Sequence, residues 1–159
     1  QLQSSAASDV YKRQPVYSVL GIGYIKIGSG TFCSLLPCFI IFFIGENIDL
    51  IFRLLLIVPI LFLGFISLNI NFEEDGIESK DPSFVVIDEF AGMWIALIIS
   101  DQLFLIIMSF LLFRFFDITK FLGINKIEKL NGSLGIMLDD IVAGIYTLII
   151  VFFIKLFLV

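Results

Sequence analysis

Histidine is absent from the chain. That removes imidazole as general base, as phosphoryl acceptor and as metal ligand, and leaves carboxylates, Lys, Arg and hydroxyls to carry any chemistry. Cysteine is nearly absent: Cys33 and Cys38 stand alone, with no second pair and no His to complete a zinc set. A cysteine nucleophile that attacks phosphorus needs an Arg six residues on to hold the phosphate, and those positions are Phe39 and Ile44. Both cysteines are therefore read as packing residues. Charge is scarce as well. Charged residues make up 16% of the 159-residue chain against 59% hydrophobic, and the mean hydropathy is +1.07. Such a composition excludes an ordinary soluble domain and implies a membrane protein of one domain. The formal charge of -5 comes from acids in loops and at segment ends, and nucleic acid is not an expected partner.

Gln1 to Gln14 is polar, and it has neither an apolar period nor the apolar core of a signal peptide. It is expected to stand outside the fold as a non-native, adaptor-derived or disordered leader, leaving 15–159 as the membrane domain. Gly21, Gly23, Gly28 and Gly30 then interrupt the chain before Thr31 and Ser34. Glycines there let the backbone approach a ligand, and the hydroxyls can cap the helix that follows. Phe32 to Ile44 contains Pro37 and ends at the turn Gly45-Glu46-Asn47. Leu50 to Ile70 is the best candidate span, because at about 1.5 Å per residue it matches a hydrocarbon core of about 30 Å. Arg53 near its start can snorkel, so it need not be functional. After the acidic connector Asn71 to Lys80, Asp81-Pro82 offers a cap and first turn for the next helix. Phe84 to Ser100 and Leu103 to Phe116 are each short, and predict a helical hairpin that dips into the membrane or packs inside the bundle. A basic loop with Lys126 and Lys129 leads to Asp139-Asp140, which are expected to open the last helix, Ile141 to Val159. Gly144, one turn on, is expected to keep that face open.

Ionised carboxylates are costly in apolar surroundings, so Asp88-Glu89 inside the run Val85 to Trp94 marks the centre of the chain's chemistry. Three more polar sets recur at segment boundaries: Lys26 to Ser34, Arg114 to Lys120, and Asn131 to Asp140. Arg114, Asp117 and Lys120 follow at three-residue steps and share a helix face, as a salt-bridge strip or as part of a site. Even numbers of apolar segments separate the motifs, so all four polar sets fall on one side of the membrane. Lys120, Lys126, Lys129 and Arg114 make that side cytoplasmic, and Glu46, Asp49 and Asp101 mark the other. The expected fold is all-α: a compact multi-helix membrane bundle with motif loops and helix ends gathered at one membrane face.

Three stretches, Val85-Val86-Ile87-Asp88-Glu89-Phe90-Ala91-Gly92-Met93-Trp94-Ile95, Phe113-Arg114-Phe115-Phe116-Asp117-Ile118-Thr119-Lys120 and Gly132-Ser133-Leu134-Gly135-Ile136-Met137-Leu138-Asp139-Asp140-Ile141-Val142-Ala143-Gly144, occur in this order. In these motifs the sequence resembles the phosphatidylglycerophosphatase A family, over most of Val19 to Phe152. The resemblance implies a magnesium-dependent phosphatase of the bacterial inner membrane, multi-pass and facing the cytoplasm, that converts phosphatidylglycerophosphate to phosphatidylglycerol. At the first motif the family usually has Pro-Gly-Thr followed by a Gly two residues later, and here Ser29 replaces the Pro and Cys33 the Gly.

The residues agree with that chemistry. With no His, a carboxylate-held Mg²⁺ is the means left to neutralise a phosphate monoester and activate water. Asp88, Glu89, Asp117, Asp139 and Asp140 are the candidate catalytic carboxylates, with Asp88, Glu89, Asp139 and Asp140 as metal ligands. Arg114 and Lys120 suit phosphate oxygens, helped by Gly30, Thr31 and Ser34. Two alternatives are a metal-dependent phosphatidyltransferase acting on CDP-activated lipid and a non-enzymatic carrier or scaffold. The first requires a pattern beginning Asp-x-x-Asp-Gly, which is missing. The second would spread charge through the bilayer midplane, whereas here it gathers at one edge.

Overall fold

A computed structural model of the chain describes residues 18–25, 28–74, 85–127 and 133–158, apart from the side chains of 46, 67, 69–74 and 133. The leader 1–14, Lys26, the Asp81-Pro82 helix start and Lys129 lie outside these residues. Within them the chain is all helical, as the composition predicts. The helices are α1 (Ser29–Ile44), α2 (Leu50–Glu74), α3 (Ile87–Ala96), α4 (Leu103–Thr119), the short α5 (Ile124–Ile127) and α6 (Ser133–Leu158).

The ten-residue α3 is the centre of the bundle, buried along almost its whole length and packed against α1, α2, α4 and above all α6. Met93, Trp94 and Leu97 meet Phe113, Phe116 and Ala143 on one side. Ile87 and Ala91 meet Cys33, Leu68 and Met137 on the other. The first half of the predicted hairpin is therefore a core helix inside the bundle. Both cysteines are buried and free, and Cys33 Sγ donates to the Val86 carbonyl just ahead of α3 (3.0 Å).

Two helix starts differ from the sequence expectation. Gly28, at φ 72°, turns the chain into α1 without any side-chain cap, and Ser34 Oγ donates back to the Gly30 carbonyl (2.7 Å). The last helix begins at Ser133, so Asp139 and Asp140 lie in its second turn and do not open it. Ile136 and Met137 are buried against the core, which carries the apolar face N-terminal to the carboxylates.

Large apolar side chains cover the outside of the bundle, among them Phe43, Ile51, Val58, Phe62, Leu111 and Phe157. An apolar exterior of this extent is a surface suited to contact with lipid or another apolar partner. Among the described residues Leu134–Leu158, in α6, is long and apolar enough to cross a membrane, and Ser29–Ile44 and the stretch Leu50–Ile66 of the 25-residue α2 are apolar as well. The candidate span Leu50 to Ile70 lies wholly within the 25-residue α2.

Arg53 does not snorkel. It is buried, and its guanidinium donates to the carbonyls of Gly45 (2.6 Å), Ile98 (3.1 Å) and Ser100 (3.2 Å). Helices that end inside a bundle leave carbonyls without partners, and one Arg satisfies three of them here. Its own carbonyl accepts from Trp94 Nε1 (3.1 Å). Lys155 does the same for the Ile99 carbonyl (3.0 Å) and pairs with Asp101 (2.7 Å). Partial burial pushes the Asp101 carboxyl up, but the Lys155 hydrogen bond and charge outweigh it and hold it below the ordinary range. These contacts tie the ends of α1, α2, α3 and α6 together at the end opposite the sequence motifs. Arg53→Leu would strand three buried carbonyls at about 1–3 kcal/mol each. We expect a loss of at least ~3 kcal/mol in unfolding in detergent, with turnover per folded molecule unchanged; a stable variant would show the clamp to be dispensable.

Candidate active site

At the motif end, Asp88 and Glu89 occupy the first turn of α3, where the exposed N–H groups of the helix start favour negative charge. Asp140 arrives from α6, and oxygens of the three carboxylates lie within 4.8 Å of one another. Glu89 Oε2 and Asp140 Oδ1 are buried and accept no hydrogen bond from the protein. Three hard oxygen donors held this close, two with buried oxygens lacking donors, fit a divalent cation better than they fit one another.

A chain of opposite charges runs beside them. Arg114 Nη1 pairs with Asp117 (2.6 Å) and contacts Ser34 Oγ at 3.4 Å, while Lys120 Nζ reaches Asp117 (3.1 Å), Asp139 (2.6 Å) and Asp140 (3.6 Å). Arg114 and Asp117 are neighbours on the last turns of α4. Lys120 ends that helix in the left-handed region at φ 49°, a conformation that costs a non-glycine residue about 1–2 kcal/mol. Its reward is the approach to three carboxylates. Burial alone would push the ammonium down, yet Asp140, Asp139 and Asp117 together hold it above the ordinary lysine value. Arg114 keeps a buried Nε–H with no acceptor.

Most of the residues named from sequence thus meet at one end of the bundle. Asp139 is the exception among the expected metal ligands: its side chain turns to Lys120 and the Asp140 amide (2.9 Å). Adjacent helix residues point about 100° apart, so Asp139 and Asp140 serve different neighbours. Thr31 sits half-buried in the first turn of α1 and takes part in none of these contacts among the described residues. Gly30 is tied in tightly, for a Cβ there would fall on Glu89 Oε1 and lie 3.3 Å from Arg114 Nη1. The glycine spacing was read as room for a ligand, and at Gly30 that room is taken by the Glu89 carboxylate.

Two glycines that mattered were misread or missed. Gly144 does not keep a face open: a Cβ there would fall on the Gly92 carbonyl oxygen. A Cβ on Gly92 would stand 2.5 Å from the Asp140 carbonyl oxygen. The signal available in sequence was the shared spacing, since each glycine follows an acidic residue by four positions, Asp88 to Gly92 and Asp140 to Gly144.

Residues 16–155 match the family described as phosphatidylglycerophosphatase A. The chain belongs to the phosphatidylglycerophosphatase A family. A Haemophilus influenzae protein named phosphatidylglycerophosphatase A is 37% identical over 85% of this chain and 83% of its own length. An Escherichia coli protein of the same name is 38% identical over 46% of this chain and 45% of its own. A Bacteroides thetaiotaomicron protein, whose name carries a provisional phosphatidylinositol-3-phosphatase assignment, is 45% identical over 45% of this chain. The chain spans about half the length of the Bacteroides relative, 48%. No solved structure matches it.

Gly30 separates the site from the fold. Gly30→Ala should change stability little, because up to ~1 kcal/mol of helix propensity offsets part of the cost of moving the Glu89 carboxylate aside. It should nevertheless displace Glu89 and lower kcat/KM by roughly tenfold or more, where ~1.4 kcal/mol of lost transition-state binding is a factor of ten. Thermal unfolding and kinetics on the same preparation check both halves, and wild-type kinetics would show that the Glu89 position is not critical.

Proposed function

We propose that the chain is a magnesium-dependent phosphatase that hydrolyses phosphatidylglycerophosphate to phosphatidylglycerol and inorganic phosphate, within phospholipid biosynthesis. The observation that carries this reading is the buried set Asp88, Glu89 and Asp140 beside the unpaired Nε–H of Arg114. One wall offers oxygen ligands for a cation and the other offers donors for a phosphate. Family membership and the names of the Haemophilus and Escherichia relatives support the same substrate.

Asp88, Glu89 and Asp140 would hold the ion, and Mg²⁺ supplies charge neutralisation and Lewis acidity toward the phosphate. Arg114 and Lys120 bind phosphate oxygens, the guanidinium as a fork and the ammonium as a point charge. Asp117 and Asp139 orient those two cations through the ion pairs at 2.6 Å. Water attacks phosphorus and gives up a proton, the phosphorus–oxygen ester bond breaks, and the glycerol oxygen takes up one proton in exchange, so that an alcohol and inorganic phosphate leave. Glu89 Oε2, with no protein donor, is an acceptor available for the proton of the attacking water. The apolar exterior supports a multi-pass position in the bacterial inner membrane. Exposed Lys126 beside the site end supports a cytoplasmic orientation, while Arg53 and Lys155 at the far end are engaged by the chain's own carbonyls and Asp101.

The name of the Bacteroides relative makes phosphatidylinositol 3-phosphate the competing substrate. Phosphate release by the purified protein from both lipids, with Mg²⁺ and with excess chelator, decides between them. We expect turnover of phosphatidylglycerophosphate, its loss in chelator, and survival of thiol alkylation. Asp140→Asn should lower turnover by roughly 100-fold or more, whereas Arg114→Lys should lower kcat/KM by about tenfold at unchanged metal dependence. Preference for the inositol lipid, or wild-type kinetics in both variants, would overturn the assignment.

A further inference from the structure

The contact between Gly92 and Gly144 sits directly behind the carboxylate set, and nothing in the assigned chemistry uses it. A Cβ on Gly144 would fall on the Gly92 carbonyl oxygen and lie 3.1 Å from its carbon and 3.2 Å from its Cα. These are backbone atoms, which cannot swing aside as a side-chain tip can. Gly92 is constrained from the other direction, where a Cβ would stand 2.5 Å from the Asp140 carbonyl oxygen and 2.7 Å from the edge of the Phe113 ring. The backbones of α3 and α6 therefore touch at this level. Asp88 precedes Gly92 by one turn, and Asp140 precedes Gly144 by one turn.

We infer that Gly92 and Gly144 are positioning residues that set the separation between the α3 carboxylates, Asp88 and Glu89, and Asp140, and thereby the size of cation the site accepts. The inference rests on the proposed cation site and deepens it. An independent observation points the same way: Asp140 is 2% exposed, and its buried Oδ1 has no hydrogen-bond donor although it lies among carboxylates. Lys120 Nζ lies 3.6 Å from that oxygen but is shared with Asp117 and Asp139, so the converging carboxylates still carry uncompensated negative charge, which a cation held by them would offset. Mg²⁺ takes its ligands at about 2.0–2.1 Å and Ca²⁺ at about 2.3–2.6 Å, so a difference of a few tenths of an ångström between the helices decides which ion is satisfied.

A methyl group at residue 144 forces α3 and α6 apart. The variant Gly144→Ala should bind Mg²⁺ about tenfold more weakly, with Ca²⁺ affected less, so that the ratio of the two dissociation constants shifts toward Ca²⁺. Calorimetric titration of the purified, detergent-solubilised chain with MgCl₂ and CaCl₂ reads this without any turnover. Gly64→Ala is the control, because its Cβ would crowd the flexible end of Met137, with Cε at 2.7 Å and Sδ at 3.0 Å, and would meet Ile87 Cγ1 at an ordinary 3.5 Å, with no backbone atom in the way. It should leave both affinities as in wild type. If Gly144→Ala does not fold, Gly92→Ala combined with Phe113→Leu, which removes the ring edge, tests the same separation. Absence of Mg²⁺ binding in the wild type would overturn the cation site itself. Wild-type binding with an unchanged Mg²⁺ to Ca²⁺ ratio in a folded glycine variant would overturn the positioning role alone. Failure of both glycine variants to fold would also overturn it, since the contact would then be required by the fold and not by the carboxylate spacing.

Discussion

Where α3 crosses α6, the Gly92 carbonyl fills the space that a side chain on Gly144 would need, and the two helices touch through their backbones. That closeness is what allows a ten-residue helix to be buried on almost every side. Burial in turn makes the acidic first turn of α3 expensive unless something compensates it, and the compensation comes from the neighbours. Asp140 converges on Asp88 and Glu89 to complete a set of oxygen donors, while Arg114 and Lys120 place two cations alongside, with Asp117 between them. The far end of the bundle answers a different need. Cutting α3 short leaves carbonyls at Ile98, Ile99 and Ser100, and Arg53 and Lys155 occupy them.

Charge is therefore sorted along the bundle by task. At one end, Arg and Lys satisfy helix-end carbonyls and hold the frame. At the other, carboxylates and cations interleave so that no group is paired to exhaustion, and buried atoms on Glu89, Arg114 and Asp140 still have no hydrogen-bond partner. A site built in this way is poised to take up a cation and an anion together, and a phosphate ester with its counter-ion offers both. The cysteines contribute packing and two sulfur-to-carbonyl contacts, Cys33 to Val86 at the head of α3 and Cys38 to Ser34 within α1.

Much of this was legible in the sequence because apolar and charged residues contrast so sharply. Asp88 and Glu89 stand out in an apolar run, and counting segments between motifs places the polar sets at a common end. Arg53 was misjudged because its role depends on carbonyls 45 and 47 residues away, which no local pattern reveals. The start of α6 was placed late because the acidic pair looked like a helix entrance, whereas Ile136 and Met137 ahead of it pack into the core. Gly144 was read as open space since a glycine's neighbour across the bundle is invisible in one chain. Asp139 and Asp140 could not be told apart by composition, and only the helix phase sends one to Lys120 and the other to Asp88 and Glu89.

The central claim is that Asp88, Glu89 and Asp140 are held together to bind a divalent cation. A crystal of the protein soaked with Mn²⁺, with anomalous scattering measured at the manganese edge, tests it most directly. The account predicts a single strong peak between these three carboxylates that disappears in Asp140→Asn. A peak elsewhere in the bundle, or none at saturating Mn²⁺, would contradict it.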